Sequence, residues 1–260
     1  MDFQNKVCVV TGGAGGIGRC IAEEFLKAGS FAAVIDTDEE AGKRLAARYE
    51  TGRVLFACGD IAEEAVLESF ADSVIKKFGT VDFLMNNACL SKRGILSGCT
   101  FDDFNYVLKV GVTAPYMLAK LFLDSFSPGA SVINIASTRA FMSQADTESY
   151  SAAKGGIYAL THALSISLSG RARVNSISPG WIDTAAYHDR HEKSVLTPTD
   201  HSQHPAGRVG TPMDIAKMAM FLCSSEAAFI TGQNFTVDGG MTKRMIYHND
   251  EGWILNGNSI

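Results

Sequence analysis

The chain has 260 residues, of which 46% are apolar and 20% charged, and its net charge is −5. This length suits one large α/β domain or two small ones, and the composition excludes an intrinsically disordered chain. The basic residues are scattered along the sequence, which argues against a surface for nucleic acid.

Strand-like apolar runs alternate with helical segments along the chain. The predicted strands are KVCVVTG, FAAVIDTD, RVLFACGD, VDFLMNNA, ASVINIA, RARVNSISPG and NFTVDGG. The predicted helices lie over GGIGRCIAEEFLKAGS, EEAGKRLAARYE, EEAVLESFADSVIKKFG, FDDFNYVLKVGVTAPYMLAKLFLDSF and residues 150–168. Strands joined by such helices form a parallel sheet through crossover connections. We therefore predict one α/β domain with a doubly wound, mainly parallel sheet and helices on both faces.

Two segments interrupt this alternation. Residues 182–211 are polar and irregular, and residues 242–260 follow the last predicted strand as a tail. We assign residues 1–241 to the domain. For the tail we consider two alternatives, disorder or docking through its apolar residues onto its own or a neighbouring subunit.

Nothing in the sequence directs the chain to a membrane or to secretion. The first ten residues lack the basic flank and apolar run of a signal peptide, and no apolar run approaches the ~18 residues of a membrane span. The six cysteines are dispersed without a Cys-x-x-Cys pair, which is typical of free thiols in a reducing compartment. We expect a cytoplasmic protein with no membrane partner.

A glycine-rich segment, VVTGGAGGIG, joins the first predicted strand to the first helix. Glycines at this junction allow a tight turn and close approach of a pyrophosphate, which the helix N-terminus stabilises. Glycine-rich turns also occur for packing reasons, so the prediction of a dinucleotide site depends on this position and on the acid that follows the second strand. The residues assigned to the cofactor here are Thr11, Gly12, Gly16, Ile17 and Gly18.

The acid after the second strand is Asp36, eighteen residues beyond Gly18. A carboxylate there can accept hydrogen bonds from the ribose hydroxyls of NAD and repels the 2′-phosphate of NADP. No Arg or Lys follows it directly, although the nearby Arg19 keeps NADP possible. We therefore favour NAD as the cofactor, with NADP as the alternative.

Several further segments complete a pattern. They are GDI (59–61), NNA (86–88), Ser137, YSAAK (150–154), SPGWIDT (178–184) and ITGQNFTVDGG (230–240). Together with TGGAGGIG, in this order and spacing, they resemble the short-chain dehydrogenase/reductase family over nearly the whole chain. The resemblance implies a Rossmann-like sheet of seven strands and an NAD(P)-dependent enzyme that acts on alcohols or carbonyls.

The resemblance also implies residue roles. Tyr150 is expected to be the general acid/base, Lys154 to bind the nicotinamide ribose and Ser137 to bind the substrate oxygen. The remaining cofactor contacts are expected from Asp60, Ile61, Asn87, Ala88, Pro179, Gly180, Ile182 and Thr184, with Tyr150 and Lys154.

These residue types suit the chemistry of carbonyl reduction. A ketone that accepts hydride becomes an alkoxide, which needs a proton donor and a hydrogen-bond donor. A free phenol titrates near pH ~10, so a phenol that works near neutral pH needs a nearby cation. Tyr150 and Lys154, four residues apart, would share one helix face. Considered alone, a serine, tyrosine or lysine at such a position more often has a structural role than a catalytic one.

Gly111 departs from the family pattern, because it stands where the family usually has a catalytic asparagine. Two hypotheses follow. Glycine leaves room for a water that replaces the missing amide, and turnover survives; or catalysis is lost and the chain is a silent dinucleotide-binding regulator. Under the first hypothesis, which we favour, Gly111→Ala should fold normally and lower turnover by crowding that water.

Residues 182–211 are expected to form a substrate lid. His188, His191, His201 and His204 lie there in two His-x-x-His pairs, but they lack the regular helix or cysteine partners of common zinc sites, so we predict no metal. Further substrate contacts are expected from Leu90, Ser91, Trp181 and residues 138–148, which include Arg139, Gln144 and Glu148. For Arg139, recognition of an acidic substrate and a plain surface role both remain open.

The sequence therefore predicts an oxidoreductase that transfers hydride between NAD(H) and a secondary alcohol or ketone. The alternatives are an NADP(H)-dependent carbonyl reductase and the silent regulator. Its partners are expected to be a small-molecule substrate and further copies of the chain. The two long predicted helices, which pair between subunits in the family, imply a homodimer or homotetramer. The identity of the substrate is not encoded in the shared scaffold.

Overall fold

A computed structural model describes residues 3–188, 194–245 and 247. Seven strands form one parallel sheet in the order β3-β2-β1-β4-β5-β6-β7. The strands are β1 (Val7–Thr11), β2 (Phe31–Asp36), β3 (Val54–Cys58), β4 (Val81–Asn86), β5 (Phe126–Ile135), β6 (Ala172–Pro179) and β7 (Asn234–Val237). The predicted doubly wound, seven-stranded parallel sheet is confirmed.

The described ranges contain eight α-helices, most of which cover the two faces of this sheet. They are α1 (Gly16–Lys27), α2 (Glu39–Ala47), α3 (Glu64–Phe78), α4 (Phe101–Leu108), α5 (Ala114–Leu121), α6 (Glu148–Ser167), α7 (Pro198–Ser202) and α8 (Pro212–Cys223). Along β1, Cys8 and Val10 pack in the cluster that includes α1 and α8, while Val9 packs in the cluster that includes α3 and α5. Burial on both faces explains why the strand sequences are continuously apolar rather than alternating.

The long helix predicted over residues 101–126 is divided into three parts and ends earlier. Between α4 and α5, Lys109–Thr113 form a π-helical turn, and the chain leaves α5 after Leu121. Pro115 lies in the first turn of α5 and has no N–H to donate to the carbonyl of Gly111, four residues before it. An uninterrupted α-helix needs that hydrogen bond, so the wider turn falls where the α-helical pattern fails.

Helix α8 was not assigned from the sequence, although its start carries a signal. Thr211 and Asp214 form a capping box, and Pro212 occupies the first turn. A threonine followed three residues later by an acid, with proline between them, is typical of a helix start. The helix packs on α1 and completes the cover of one sheet face.

The expected lid leaves the sheet after β6 and returns to it before α8. A β-bridge between Ile182 and Gly210 joins the two ends of the segment. Between them lie a 3-10 turn at Ala185–Tyr187 and the short helix α7, while residues 189–193 lie outside the described residues. The described start of the tail contacts the lid of its own subunit, because Arg244 donates a hydrogen bond to the carbonyl of Ser202.

The helices in the described part of the chain all fall short of the length and apolar character that a membrane span requires.

The junction between the lid and α8 is held by an ion pair. Both nitrogens of the Arg208 guanidinium lie 2.7 Å from the carboxylate oxygens of Asp214, which also accepts hydrogen bonds from Thr211. Arg208, with the backbone and hydroxyl of Thr211, holds the pKa of Asp214 well below its usual range. A carboxyl whose pKa is depressed by folding stabilises the fold above its unfolded pKa and loses this effect as the pH falls.

We predict that Asp214→Asn lowers the free energy of unfolding at neutral pH, because the change removes the charge that pairs with Arg208. The loss should be only about 1 kcal/mol, since solvent screens this exposed pair. The difference from wild type should shrink as the pH falls below about 4, because the carboxyl of the unfolded chain then binds a proton while the native carboxyl, whose pKa is depressed, stays ionised. Urea unfolding at several pH values measures this. Asp200→Asn, which changes a similar cap without an arginine partner, should cost less, and equal losses in both variants would contradict the role of Arg208.

Candidate active site

Two cavities open at the carboxyl edge of the sheet. The strand order reverses between β1 and β4, so the loops after these strands diverge and leave a crevice, as in other doubly wound sheets. The first cavity, of about 530 Å³, lies over the loop between β1 and α1. The second, of about 840 Å³, lies beside the loops after β5 and β6. We refer to them as the glycine-loop cavity and the lid cavity.

The glycine-loop cavity fits a dinucleotide pyrophosphate. Gly12 and Gly16 adopt φ of +62° and +53°, a region that favours glycine. Gly15 is the N-cap of α1 and brings no side chain to the first-turn N–H groups of that helix. These donors and the positive end of the helix dipole remain available to an anion. The loop therefore provides a cradle that backbone amides line.

Close packing under this loop requires Gly18. A Cβ placed there would lie 2.2 Å from the carbonyl oxygen of Gly12 and 2.5 Å from the Asn87 amide nitrogen. That amide donates to the carbonyls of both Thr11 and Gly12, at 3.0 Å each. The Thr11 hydroxyl in turn accepts from the backbone N–H of Asn87 and of Ala88. Thr11 and Gly18 thus lie beneath the cavity, whereas Asn87 and Ala88 line it.

The far end of the glycine-loop cavity is acidic. Asp36 accepts hydrogen bonds from the backbone N–H of Ala14 at 2.9 Å and of Asp38 at 3.0 Å. Asp38 and Asp60 also line the cavity, and its described lining holds no lysine or arginine. Arg19 forms an ion pair with Glu23 at 3.0 Å and is only 7% exposed. The Arg19 guanidinium, on which the NADP alternative depends, donates to Glu23 of its own helix and to the carbonyl of Tyr187.

Tyr106 is a cavity residue that the sequence analysis missed. Its hydroxyl donates to Asp60 Oδ2 at 2.7 Å, while Asp60 Oδ1 accepts from the N–H of Ala62. The carboxylate of Asp60 raises the pKa of Tyr106 to about 12, so its phenol stays protonated near neutral pH. Tyr106 lies in α4, far from any motif, and only the folded contact reveals it. Ile61, which was expected to contact adenine, lines the same cavity and is buried.

The structure brings Ser137, Tyr150 and Lys154 together beside the lid cavity. Ser137 follows β5 and Tyr150 lies in α6, and both line the cavity. Lys154, one turn after Tyr150, is 4% exposed, and its Nζ lies 5.4 Å from the centre of the Tyr150 ring. The same Nζ donates to the carbonyl oxygen of Ile135 at 2.6 Å. This hydrogen bond fixes α6 against the end of β5 and places the ammonium behind the phenol.

The loop after β6 connects the two cavities. Pro179 ends the strand, and Gly180 lies so close to Asp238 that a Cβ would be 2.6 Å from the Asp238 Cβ. Gly180 and its neighbour Trp181 line the lid cavity, and Thr184 lines the glycine-loop cavity. Ile182, expected beside Thr184 at the nicotinamide, lines neither of the two cavities and forms the bridge to Gly210.

The expected substrate residues divide between the cavities. Ser91, Arg139, Gln144 and Trp181 line the lid cavity. Leu90 lines the glycine-loop cavity instead. Glu148 lines neither, and its carboxylate accepts a hydrogen bond from the backbone N–H of Ile95.

The described histidines of the lid lie in separate surroundings. His188 lines the glycine-loop cavity beside Gly15. His201 accepts a hydrogen bond from the N–H of Val209, and the buried His204 ring contacts the carbonyl of Asp200. His191 lies outside the described residues. Within the ranges that the structure covers, no three His, Cys, Asp or Glu side chains form a metal-binding group.

Gly111 does not have the empty space beside it that the sequence analysis assumed. It is buried in the π-helical turn, and a Cβ there would lie 2.9 Å from Ala153 Cβ and 3.2 Å from Cys89 Sγ. Ala153 and Cys89 therefore leave no room for a side chain at this position unless they shift. The glycine is explained by the close approach of the π-helical turn to α6, one residue before Lys154.

Comparisons with known proteins agree with this arrangement. The family model described as Enoyl-(Acyl carrier protein) reductase matches residues 12–242. An uncharacterized oxidoreductase of Thermotoga maritima is 45% identical, over 94% of this chain and 99% of that protein. A 2-(S)-hydroxypropyl-CoM dehydrogenase of Xanthobacter autotrophicus is 32% identical, over 92% of this chain and 98% of that protein. The solved structure of an apo SCOR enzyme from Clostridium thermocellum is similar with a TM-score of 0.87 and 43% identity, over 97% of this chain and 98% of that one.

The packing of Gly111 changes what its substitution should do. We predict that Gly111→Ala destabilises the protein by about 1–3 kcal/mol, because the new methyl group overpacks the contact with Ala153. Gly155→Ala is the matched control: it lies in α6, and a Cβ there meets nothing within 4 Å. It should gain up to about 1 kcal/mol from helix propensity. Urea unfolding measures both, and a Gly111→Ala variant as stable as wild type would show that the helices separate without cost.

Proposed function

The chain belongs to the short-chain dehydrogenase/reductase family of oxidoreductases, and we propose that it interconverts a secondary alcohol and a ketone with NAD(H). The observation that carries this proposal is the placement of Ser137 and Tyr150 on one cavity wall, with Lys154 behind the phenol. The glycine-loop cavity beside it suits the dinucleotide. When bound there, the nicotinamide would supply the hydride chemistry of the reaction.

Ser137 is oriented to donate a hydrogen bond to the substrate oxygen. Its Oγ accepts a hydrogen bond from the backbone N–H of Arg139 at 3.1 Å. A hydroxyl has one proton and two lone pairs, so this contact uses a lone pair and leaves the proton for a partner in the cavity. The negative charge that develops on the carbonyl oxygen during reduction strengthens such a bond.

Tyr150 moves the proton. In alcohol oxidation the C–H bond breaks with both of its electrons as hydride, and the O–H proton passes to the Tyr150 oxygen; reduction reverses both transfers. Lys154 supports this step through its positive charge, because a phenolate is favoured beside a cation. One of its three ammonium protons is held by the Ile135 carbonyl, which leaves two for the cofactor ribose and for solvent exchange.

Charge in the glycine-loop cavity favours NAD over NADP. Asp36 has both carboxylate oxygens fixed by backbone N–H groups, so its charge lies at a constant place in the cavity wall. Two unit charges 4 Å apart repel by roughly 4 kcal/mol at an effective dielectric constant of about 20. No lysine or arginine in the described lining of this cavity offsets the repulsion of a 2′-phosphate; Arg44 lines the adjoining cavity that shares Asp38. NADP(H) remains the alternative that the test below distinguishes.

We also propose that the chain forms a homodimer or homotetramer. Large apolar or aromatic side chains of α4, α5 and α6 face outward in the single chain, including Phe101 at 83% exposure, Tyr116 at 47% and Ile166 at 78%. An exposed apolar surface on neighbouring helices is typical of an interface. The substrate that such an oligomer turns over is a small molecule, in keeping with the family.

The first test is oxidation of NADH against a panel of ketones by wild type and Tyr150→Phe. We predict that the variant loses at least about 100-fold in kcat, because proton transfer by a placed side chain contributes 10²–10⁴-fold, while its NADH affinity is kept. Tyr158→Phe is the control, because it also removes a phenolic hydroxyl from α6. The Tyr158 ring packs on Phe141. Equal activity of wild type and Tyr150→Phe would refute the catalytic role.

The second test separates the two cofactors. We predict that Asp36→Asn raises the NADPH-to-NADH affinity ratio at least about tenfold, which is about 1.4 kcal/mol of removed repulsion. Fluorescence titration of each reduced cofactor measures the ratio. Asp38→Asn, which lines the same cavity, should change it less. A wild type that binds NADPH more tightly than NADH would overturn the cofactor assignment.

A further inference from the structure

The lid cavity has a charged side chain next to its reacting groups. Arg139 lies in the 3-10 turn Thr138–Ala140, two residues after Ser137, and lines the same cavity as Ser137 and Tyr150. The turn is capped by Ser137 itself, since Ser137 Oγ accepts from the N–H of Arg139. The backbone of Arg139 is therefore fixed by the same hydroxyl that faces the substrate carbonyl.

The guanidinium of Arg139 has a neutral partner only. It donates to the side-chain oxygen of Gln144, and no carboxylate of the described residues forms an ion pair with it. Some other arginines have acidic partners, such as Arg208 with Asp214 and Arg171 with Asp124, whereas Arg53 and Arg173 donate to backbone carbonyls. Arg139 is half-buried in the cavity wall. A guanidinium has five N–H donors in a planar fork, so most of its donors remain for a ligand.

A second charge in this cavity, Asp200, does not neutralise Arg139. One oxygen of its carboxylate accepts hydrogen bonds from the N–H of Thr197 at 2.7 Å and from its hydroxyl at 2.8 Å. These bonds form the cap of α7 on the lid and hold the pKa of Asp200 below its usual range. Asp200 is thus committed to the lid helix, whereas Arg139 belongs to the turn that carries Ser137.

We propose that the substrate of this enzyme carries a carboxylate close to the reacting carbon and that Arg139 binds it. A guanidinium fork matches the two oxygens of a carboxylate, and charge-assisted pairs of this kind are among the strongest hydrogen bonds in proteins. The lid cavity also offers the polar Ser91, Ser143, Thr147 and Gln203, which suit further hydroxyl groups on the substrate, beside the apolar Met142, Trp181 and Met241. The class is therefore a short oxo acid and its hydroxy acid.

This inference rests on the proposed oxidoreductase function and adds its specificity. The reaction is unchanged: the oxo group gains hydride from the bound cofactor and a proton from Tyr150, and the carboxylate passes through without reaction. Arg139 sets the orientation in which the substrate binds. A neutral ketone of the same size can still meet Ser137 and Tyr150, but it leaves the Arg139 guanidinium without a counter-charge.

The test compares substrates that differ only in this charge. Acetoacetate is paired with its methyl ester, and hydroxypyruvate with dihydroxyacetone, each with NADH and wild type, Arg139→Gln and Arg139→Lys. For a carboxylate substrate we expect Arg139→Gln to raise KM and to lower kcat/KM at least about 30-fold, in line with loss of a hydrogen bond to a charged group. For the neutral substrate of each pair, kcat/KM should change less than about threefold. Arg139→Lys should keep part of the preference for the acid.

The control variant is Arg171→Gln, which removes an arginine charge outside the lid cavity, where Arg171 pairs with Asp124. It should leave the kinetics of every substrate unchanged. Binding gives a second readout: calorimetric titration of each acid into NAD-loaded protein should show an affinity that falls with added salt in wild type and disappears in Arg139→Gln.

The possible results separate this inference from the function on which it rests. Wild type that reduces the neutral ketones at least as well as the acids, with Arg139→Gln lowering both equally, overturns the carboxylate assignment and leaves the oxidoreductase function intact. If wild type reduces no ketone of the panel, the titration decides: acids that bind wild type and not Arg139→Gln support the carboxylate site, and acids that bind neither overturn it.

Discussion

One side-chain amide holds the site together. The Asn87 amide follows β4 and donates to two consecutive carbonyls at the end of β1, so it spans the point where the order of the strands reverses. Parallel strands diverge there, and this amide cross-links the base of the crevice together with the Thr11 hydroxyl, which accepts from the N–H groups of Asn87 and Ala88. Gly18 makes the contact possible, because a Cβ on α1 would occupy the same space as the Asn87 amide. The glycine loop, the floor of its cavity and the first turn of α1 all depend on this fit.

Two cavities with different linings lie above this base. The glycine-loop cavity offers backbone amides at one end and carboxylates at the other, which together suit a pyrophosphate and an unphosphorylated ribose. The lid cavity holds Ser137 and Tyr150 on its wall, with the buried ammonium of Lys154 behind them. The Ile135 carbonyl locates that ammonium, so strand β5 positions both the hydroxyl at its end and the cation behind the phenol.

The fold was predictable from the sequence because its signals are local. Each buried strand is a short apolar run, and the glycines and Asp36 fall at strand ends where parallel topology gathers them. What could not be predicted depends on contacts between distant segments. Tyr106 becomes a cavity residue only by reaching Asp60 from another helix. Gly111 suggested an empty space in the sequence, but α6 closes it with Ala153. The hydrogen bond from Arg139 to Gln144 could not be predicted either, because it depends on how the turn between the two residues folds.

The two ends of the lid are joined, so its length can change with little effect on the rest of the fold. Ile182 and Gly210 form a β-bridge, so the framework already holds the two ends of the segment side by side. The entropic cost of lengthening a closed loop grows slowly, by about 0.6 kcal/mol for each doubling of its length. Insertions and deletions between these two residues therefore leave the sheet and the placement of Ser137, Tyr150 and Lys154 almost unchanged. The part of the lid cavity wall that Asp200 and Gln203 form can vary in length and sequence while the strands beneath it keep their register.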